Sequence, residues 1–147
     1  GSPGAADAKY LVHFEGWRYE KFTSIERADP LVGMQDSDSD LDGLNNWAEY
    51  CYGMDPFKFD AVDSKYVTAD DSGNDYVAIE FTRRRDAFDV NWLLKSCDDL
   101  ASWAVETSSI HGLTLSVGSG SEKLTLRSST QTDAGGKKFF RVEGAKQ

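Results

Sequence analysis

The residues best placed to do chemistry lie in one stretch, Asp36-Ser37-Asp38-Ser39-Asp40-Leu41-Asp42-Gly43-Leu44-Asn45-Asn46-Trp47-Ala48-Glu49. With Asp38 as position 1, Asp40 and Asp42 stand at positions 3 and 5 and Gly43 at 6. Leu44 then offers its carbonyl at 7, Asn46 stands at 9 and Glu49 at 12. This is the register of an EF-hand-type calcium loop. Ca²⁺ is a hard ion that takes six to eight oxygens at about 2.3–2.6 Å. Alternate side chains of a tight loop converge on one centre, a glycine permits the sharp turn, and the following helix returns a two-oxygen carboxylate. Acidic runs are usually solvated faces, but such a run has no need of a glycine, an asparagine and a terminal glutamate in step. Asp36 falls outside the register. EF-hands normally come in pairs. One loop only, with Asn45 at position 8 where an aliphatic residue is usual, points to a structural ion rather than a sensor.

No second constellation suggests catalysis. The two histidines, His13 and His111, have no metal-ligand spacing, and neither a G-x-S-x-G elbow nor a phosphate-binding loop is present. Ser108-Ser109 near His111 reads as a Ser-rich strand end. Asp98-Asp99, a conceivable carboxylate pair for glycoside hydrolysis, reads as a turn with Asp99 capping local backbone. The chain is expected not to be an enzyme.

A binding surface is the alternative. Trp47 lies inside the acidic loop, and Tyr50, Tyr52, Phe57 and Phe59 cluster close behind it. A short helix cannot bury every ring there, so some of them are expected to form an exposed platform for stacking on sugars, while Trp47 also suits packing the loop onto the sandwich. Trp92 is a further candidate, although its alternation with Val90 and Leu94 also suits a core position. Arg83-Arg84-Arg85 is the main basic feature. Arginine grips carboxylate or sulfate with two parallel hydrogen bonds, which suits an acidic polysaccharide. The same arginines could instead close a sheet rim against Asp86 and Asp89.

The elements that must position these groups change character near residue 60. Tyr10 to Arg27 carries Leu11, Phe14, Trp17, Phe22 and Ile25 at helical spacing, and Asp29-Pro30 ends it. Leu44 to Tyr52 forms a second short helix stopped by Gly53. After residue 60 the pattern alternates with period two. Val77, Ile79 and Phe81 share one strand face, and Val90, Trp92 and Leu94 another. Weaker runs follow at 103–107, 113–117, 124–127 and 139–143, separated by Asp71-Ser72-Gly73-Asn74, Gly118-Ser119-Gly120-Ser121 and Gly135-Gly136. The expected fold is mainly β, an antiparallel β-sandwich of about seven strands, Ig-like or jelly-roll-like, preceded by a short helical segment with the calcium loop. Residues 1–9 are expected to be a disordered tag and linker, 10–60 the helical calcium-loop segment and 61–147 the sandwich, packed together as one module.

The chain has 147 residues, 16 Lys+Arg against 25 Asp+Glu and a formal charge of −9. Such a chain buries about two-thirds of its unfolded surface and needs no staples. The charge excludes a general nucleic-acid binder, which needs a basic face, and no apolar run nears the roughly 20 residues of a membrane span. The start Gly1-Ser2-Pro3-Gly4 reads as a cloning scar, so a piece of a larger protein is expected. Cys51 and Cys97 are either two buried thiols or one bridge from helix to strand.

The stretch Asp38 to Pro56 resembles the bacterial thrombospondin type 3-like calcium loop found in secreted proteins of Verrucomicrobia and Planctomycetes. Phe14-Glu15-Gly16-Trp17 resembles the short helix that precedes such loops. Phe81-Thr82-Arg83-Arg84 resembles the family's arginine-ended strand, Asp98-Asp99-Leu100-Ala101-Ser102-Trp103 its S-x-D-L-x-x-W signature, and Phe139-Phe140-Arg141-Val142 its closing strand. The sequence departs from the pattern with Cys97 in place of Ser, Cys51 in place of Ala and Trp92 in place of Tyr. The joint departure at the cysteines tilts the reading towards a disulfide. The resemblance implies a non-catalytic accessory module, secreted or at the bacterial cell surface, appended to a larger protein such as a polysaccharide-degrading enzyme. Polysaccharide binding is then the expected function, and a structural, sorting or protein-docking domain the alternative.

Overall fold

The computed structural model describes residues 13–115, 120–133 and 138–147. The start of the first expected helix (Tyr10, Leu11), the Gly118-Ser119 half of one turn and the Gly135-Gly136 turn lie outside the described residues. Three helices and seven strands are present among those described. The residues divide into two compact units near the expected boundary. One ends at Ala61 and takes in Arg84–Asp89; the other comprises Val62–Arg83 and Val90–Gln147. No described helix is long and apolar enough to cross a membrane.

In the first unit the expected continuous helix is two. Helix α1 runs Phe14–Lys21 and α2 runs Ser24–Ala28. The break has a local cause. Thr23 Oγ1 accepts the N–H of Glu26 at 3.2 Å, and Glu26 Oε1 accepts the N–H of Thr23 at 2.8 Å. This reciprocal capping box starts a new helix. Ile25, expected on the buried face, is consequently 82% exposed. Helix α3, Asn46–Tyr52, begins at the Asn45 cap, whose Oδ1 accepts the N–H of Ala48 at 2.9 Å. It stops at Gly53, left-handed at φ 73°, as expected of a closing glycine.

The second unit is built from β1 Ser64–Asp71, β2 Asn74–Arg84, β3 Val90–Cys97, β4 Ala104–Val105, β5 Ser108–Leu115, β6 Ser121–Gln131 and β7 Phe139–Lys146. They form two antiparallel sheets in a sandwich-like arrangement, one ordered β1-β2-β6-β5 and the other β4-β3-β7. Strands β1 and β2 join through Ser72 (φ 55°) and Gly73 (φ 85°), with Asp71 facing Asn74. Two successive left-handed residues are what a two-residue hairpin demands. Ile79, Phe81, Leu94, Leu124, Leu126 and Phe140 are buried, and the Phe81 and Trp92 rings lie 4.6 Å apart between the sheets. Each such side chain contributes about 1.5–3 kcal/mol by leaving water. On the other face of the four-stranded sheet, Glu80 pairs with Lys65 and Lys123, and Arg127 lies over Tyr76 at 4.0 Å and meets Asp71 at 3.3 Å. The exposed Tyr66 of β1 reaches β7. Its hydroxyl donates to Phe140 O at 2.6 Å and accepts the Phe140 N–H at 3.1 Å.

Cys51 and Cys97 are both free thiols in this structure, the first of the two readings that the sequence left open. Cys51 is buried on α3, where burial pushes its thiol up to about 12. Cys97 ends β3, and its Sγ accepts the N–H of Leu100 at 3.2 Å.

Candidate metal centre

Short-range hydrogen bonds wind the acidic loop. Asp38 accepts the N–H of Gly43 at 2.9 Å and that of Asp42 at 3.3 Å, and Asp42 Oδ1 accepts the N–H of Leu44 at 2.9 Å. Gly43 sits at φ 90°, the conformation for which a glycine was expected there. Leu41 is also left-handed, at φ 58°, although no glycine marks it. Ser39 Oγ donates to Pro56 O at 2.9 Å, and the N–H of Asp60 reaches Asp42 Oδ2 at 3.4 Å, so the segment after α3 closes over the loop.

This winding gathers one carboxylate oxygen each from Asp38, Asp40 and Asp42 within 4.8 Å of one another. Three like charges that close repel unless a cation or protons intervene. Burial pushes Asp40 up to about 6, helped by its hydrogen bond with Asp38. Burial works the same way on Asp42, but the N–H groups of Leu44 and Asp60 outweigh it and hold that carboxyl below its ordinary value.

Glu49 lies beside this cluster and feels its charges. It lies in the first turns of α3 and is 0% exposed. Neither of its carboxylate oxygens has a hydrogen-bond partner. Burial, then the Asp42 carboxyl within hydrogen-bonding reach, and then the charges of Asp42, Asp40 and Asp38 push it up to about 9. A buried carboxylate with no partner is costly. The donor set around it consists of oxygens only, which suits a hard divalent cation.

The remaining expected loop residues also tie the loop together and to its surroundings through their N–H groups. Asn46, the expected ninth-position ligand, commits its amide nitrogen to Val32 O and Met34 O at 2.7 Å each, and its N–H to Ser37 O at 2.8 Å. It therefore ties the preceding segment to the start of α3. Leu44 donates its N–H to Asp42 within the loop. Asp36 is exposed.

Of the rings that follow the acidic loop, Phe57 and Phe59 stay exposed, whereas Trp47 and Tyr50 do not. Trp47 is 8% exposed and Tyr50 2%. Both rings pack on Phe14, at 5.2 and 5.5 Å, and on each other at 5.6 Å. Helix α1 covers the face that was expected to be open. Tyr52 is half-buried, and Trp92 is half-buried against Phe81. The arginines diverge with strand alternation. Arg83 pairs with the buried Glu122 at 2.8 Å. Arg84 donates to Tyr50 O at 3.1 Å and meets Asp86 at 3.6 Å, and Arg85 is exposed. Asp99 caps its turn as expected, accepting the N–H groups of Ala101 and Ser102 at 2.9 Å.

The bond of Asp60 to the loop and the partners of Asp89, which the sequence suggested only as a mate for the arginines, escaped the sequence reading. Asp89 accepts the Tyr50 hydroxyl at 2.5 Å and the N–H of Phe14 at 3.1 Å. No spacing rule connects residues so far apart. Compared with family models, curated proteins and solved structures, the chain matches none.

Proposed function

We propose that this chain is a non-catalytic accessory module of an exported protein, stabilised by one structural Ca²⁺ in the Asp38–Glu49 loop. The observation that carries this reading is Glu49: a fully buried carboxylate with two unpartnered oxygens, set beside three clustered aspartates. Asp38, Asp40, Asp42, Glu49 and the Leu44 carbonyl would hold the ion, which supplies the positive charge that the buried carboxylates lack. Oxygen ligands of mixed kind in a flexible loop suit Ca²⁺ better than the smaller Mg²⁺, which keeps most of its water. With Trp47 and Tyr50 in the core, a structural or docking role in a larger surface protein is the reading best supported.

Melting in EDTA and in excess Ca²⁺ tests it. At Ca²⁺ one hundred times its dissociation constant, linkage gives about 2.7 kcal/mol, or roughly 5–10 °C for a chain of this size. Glu49→Gln should abolish the difference. Identical melting of the wild type in both conditions would overturn the reading.

Polysaccharide binding is a second reading, and a specific groove favours it. Tyr66, Thr68, Thr132, Lys138 and Phe140 line an open groove of about 480 Å³ in the sheet unit. Hydroxyls and an ammonium beside an exposed ring are groups that recognise sugars. Retardation in gels containing acidic or neutral glycans, lost in Tyr66→Ala, would support it, and no retardation across a broad panel would remove it.

A further inference from the structure

Helix α3 has seven residues, about two turns, well below the length at which a helix sustains itself in water. Its winding depends on what its side chains are tied to. Two adjacent residues carry ties in different directions. Glu49 sits among the loop carboxylates with neither oxygen partnered. Tyr50 donates its hydroxyl to Asp89 at 2.5 Å and accepts Arg84 Nε at its carbonyl at 3.1 Å. The Arg84 guanidinium lies 5.2 Å from the centre of the Tyr50 ring. The other Asp89 oxygen accepts the N–H of Phe14, the first residue of α1. The Arg84–Asp89 connection between β2 and β3 is therefore held by α3 and α1 together, and it belongs to their unit.

We infer that cation binding at the loop and ordering of the Arg84–Asp89 connection are coupled through α3, with Tyr50 and Asp89 acting as positioning residues for the cation site. The inference rests on the calcium reading. A cation that engages Glu49 holds α3 wound and keeps the Tyr50 hydroxyl and carbonyl where Asp89 and Arg84 meet them. Conversely, the Tyr50–Asp89 bond keeps α3 wound and delivers Glu49 to the loop. Such coupling is reciprocal by thermodynamic necessity. A single two-turn helix carries it, so no longer pathway is required.

Amide hydrogen exchange of the wild-type chain, in Ca²⁺ and in EDTA, tests one direction. Chelation should speed exchange at residues 84–89 by about tenfold or more while leaving the β5–β6 pair unchanged. Calorimetric titration of Ca²⁺ into Tyr50→Phe and Asp89→Asn tests the other. Neither variant touches a proposed ligand, and each should weaken binding by about 5- to 30-fold. The exchange comparison needs no variant, so it stands even if a substitution unfolds the chain. If the wild type binds Ca²⁺, but exchange at 84–89 does not respond and both variants bind as tightly, the coupling is wrong and the calcium reading survives. If the wild type binds no Ca²⁺, both fall.

Discussion

Each of the two units buries a glutamate, and the two are treated differently. In the sheet unit Glu122 is nearly inaccessible, and Arg83 answers it with two nitrogens, Nη2 at 2.8 Å and Nε at 2.9 Å. In the helical unit Glu49 is fully inaccessible and no side chain or backbone group answers it. The first charge is balanced within the chain, so the sheet unit needs nothing from solution. The second is balanced only by protons or by a cation. Burial of a charge is therefore a poor guide to its role until its partner is identified, and the missing partner is what sets Glu49 apart from Glu122 and motivates the proposed cation site.

Three experiments bear on this contrast. The largest effect is expected from Arg83→Met, which strands Glu122 in the sheet unit. Removing one member of a buried pair costs about 3 kcal/mol, and the loss should be the same in EDTA and in Ca²⁺. A loss that Ca²⁺ repairs would erase the distinction between the units.

A smaller effect is expected from pH. Asp40 and Glu49 have folded values raised to about 6 and about 9. A raised carboxyl favours the folded state while protonated. That contribution is fully present below the unfolded value and is lost as pH climbs through the folded one. In EDTA, melting temperature should fall from pH 5 to pH 9. In excess Ca²⁺ the fall should vanish, because the ion binds the ionised set and replaces the protons. Asp42, held low, acts oppositely and loses its contribution only in acid. A flat profile in EDTA would show that the carboxylates are already neutralised by other means.

The smallest effect is expected from Asn45→Ala, which removes the α3 cap and costs about 1 kcal/mol. Since α3 carries Glu49, this change should also weaken Ca²⁺ binding measurably, whereas Lys123→Ala, a surface pair on the sheet unit, should do neither.

The acidic loop was legible because its register is local: Asp38, Asp40, Asp42, Gly43 and Glu49 lie within a dozen residues, and Gly43 and Gly53 announce left-handed backbone. Strands β2 and β3 were legible because Ile79, Phe81 and Leu94 alternate cleanly. Strand β1 was not. Ser64–Asp71 is an edge strand that buries only Ala69 completely, so it has no apolar alternation to detect. The split between α1 and α2 was hidden because Phe22 and Ile25 keep helical spacing across the Thr23 capping box. The burial of Trp47 and Tyr50 depends on α1, and the role of Asp89 depends on a turn far along the chain. Neither leaves a trace in nearby residues.

The Tyr66 hydroxyl clasp has a consequence for self-association. Strand β7 is the last strand of its sheet, and the N–H and C=O of Phe140 point away from β3 towards Tyr66. An incoming strand would need those two groups to begin pairing. The phenol occupies both, while Lys65 and Asp70 bring charge to the neighbouring edge strand β1. An open-edged sheet is the usual template for strand-by-strand aggregation. Here one side chain takes up an N–H and a C=O that an added strand would otherwise pair with.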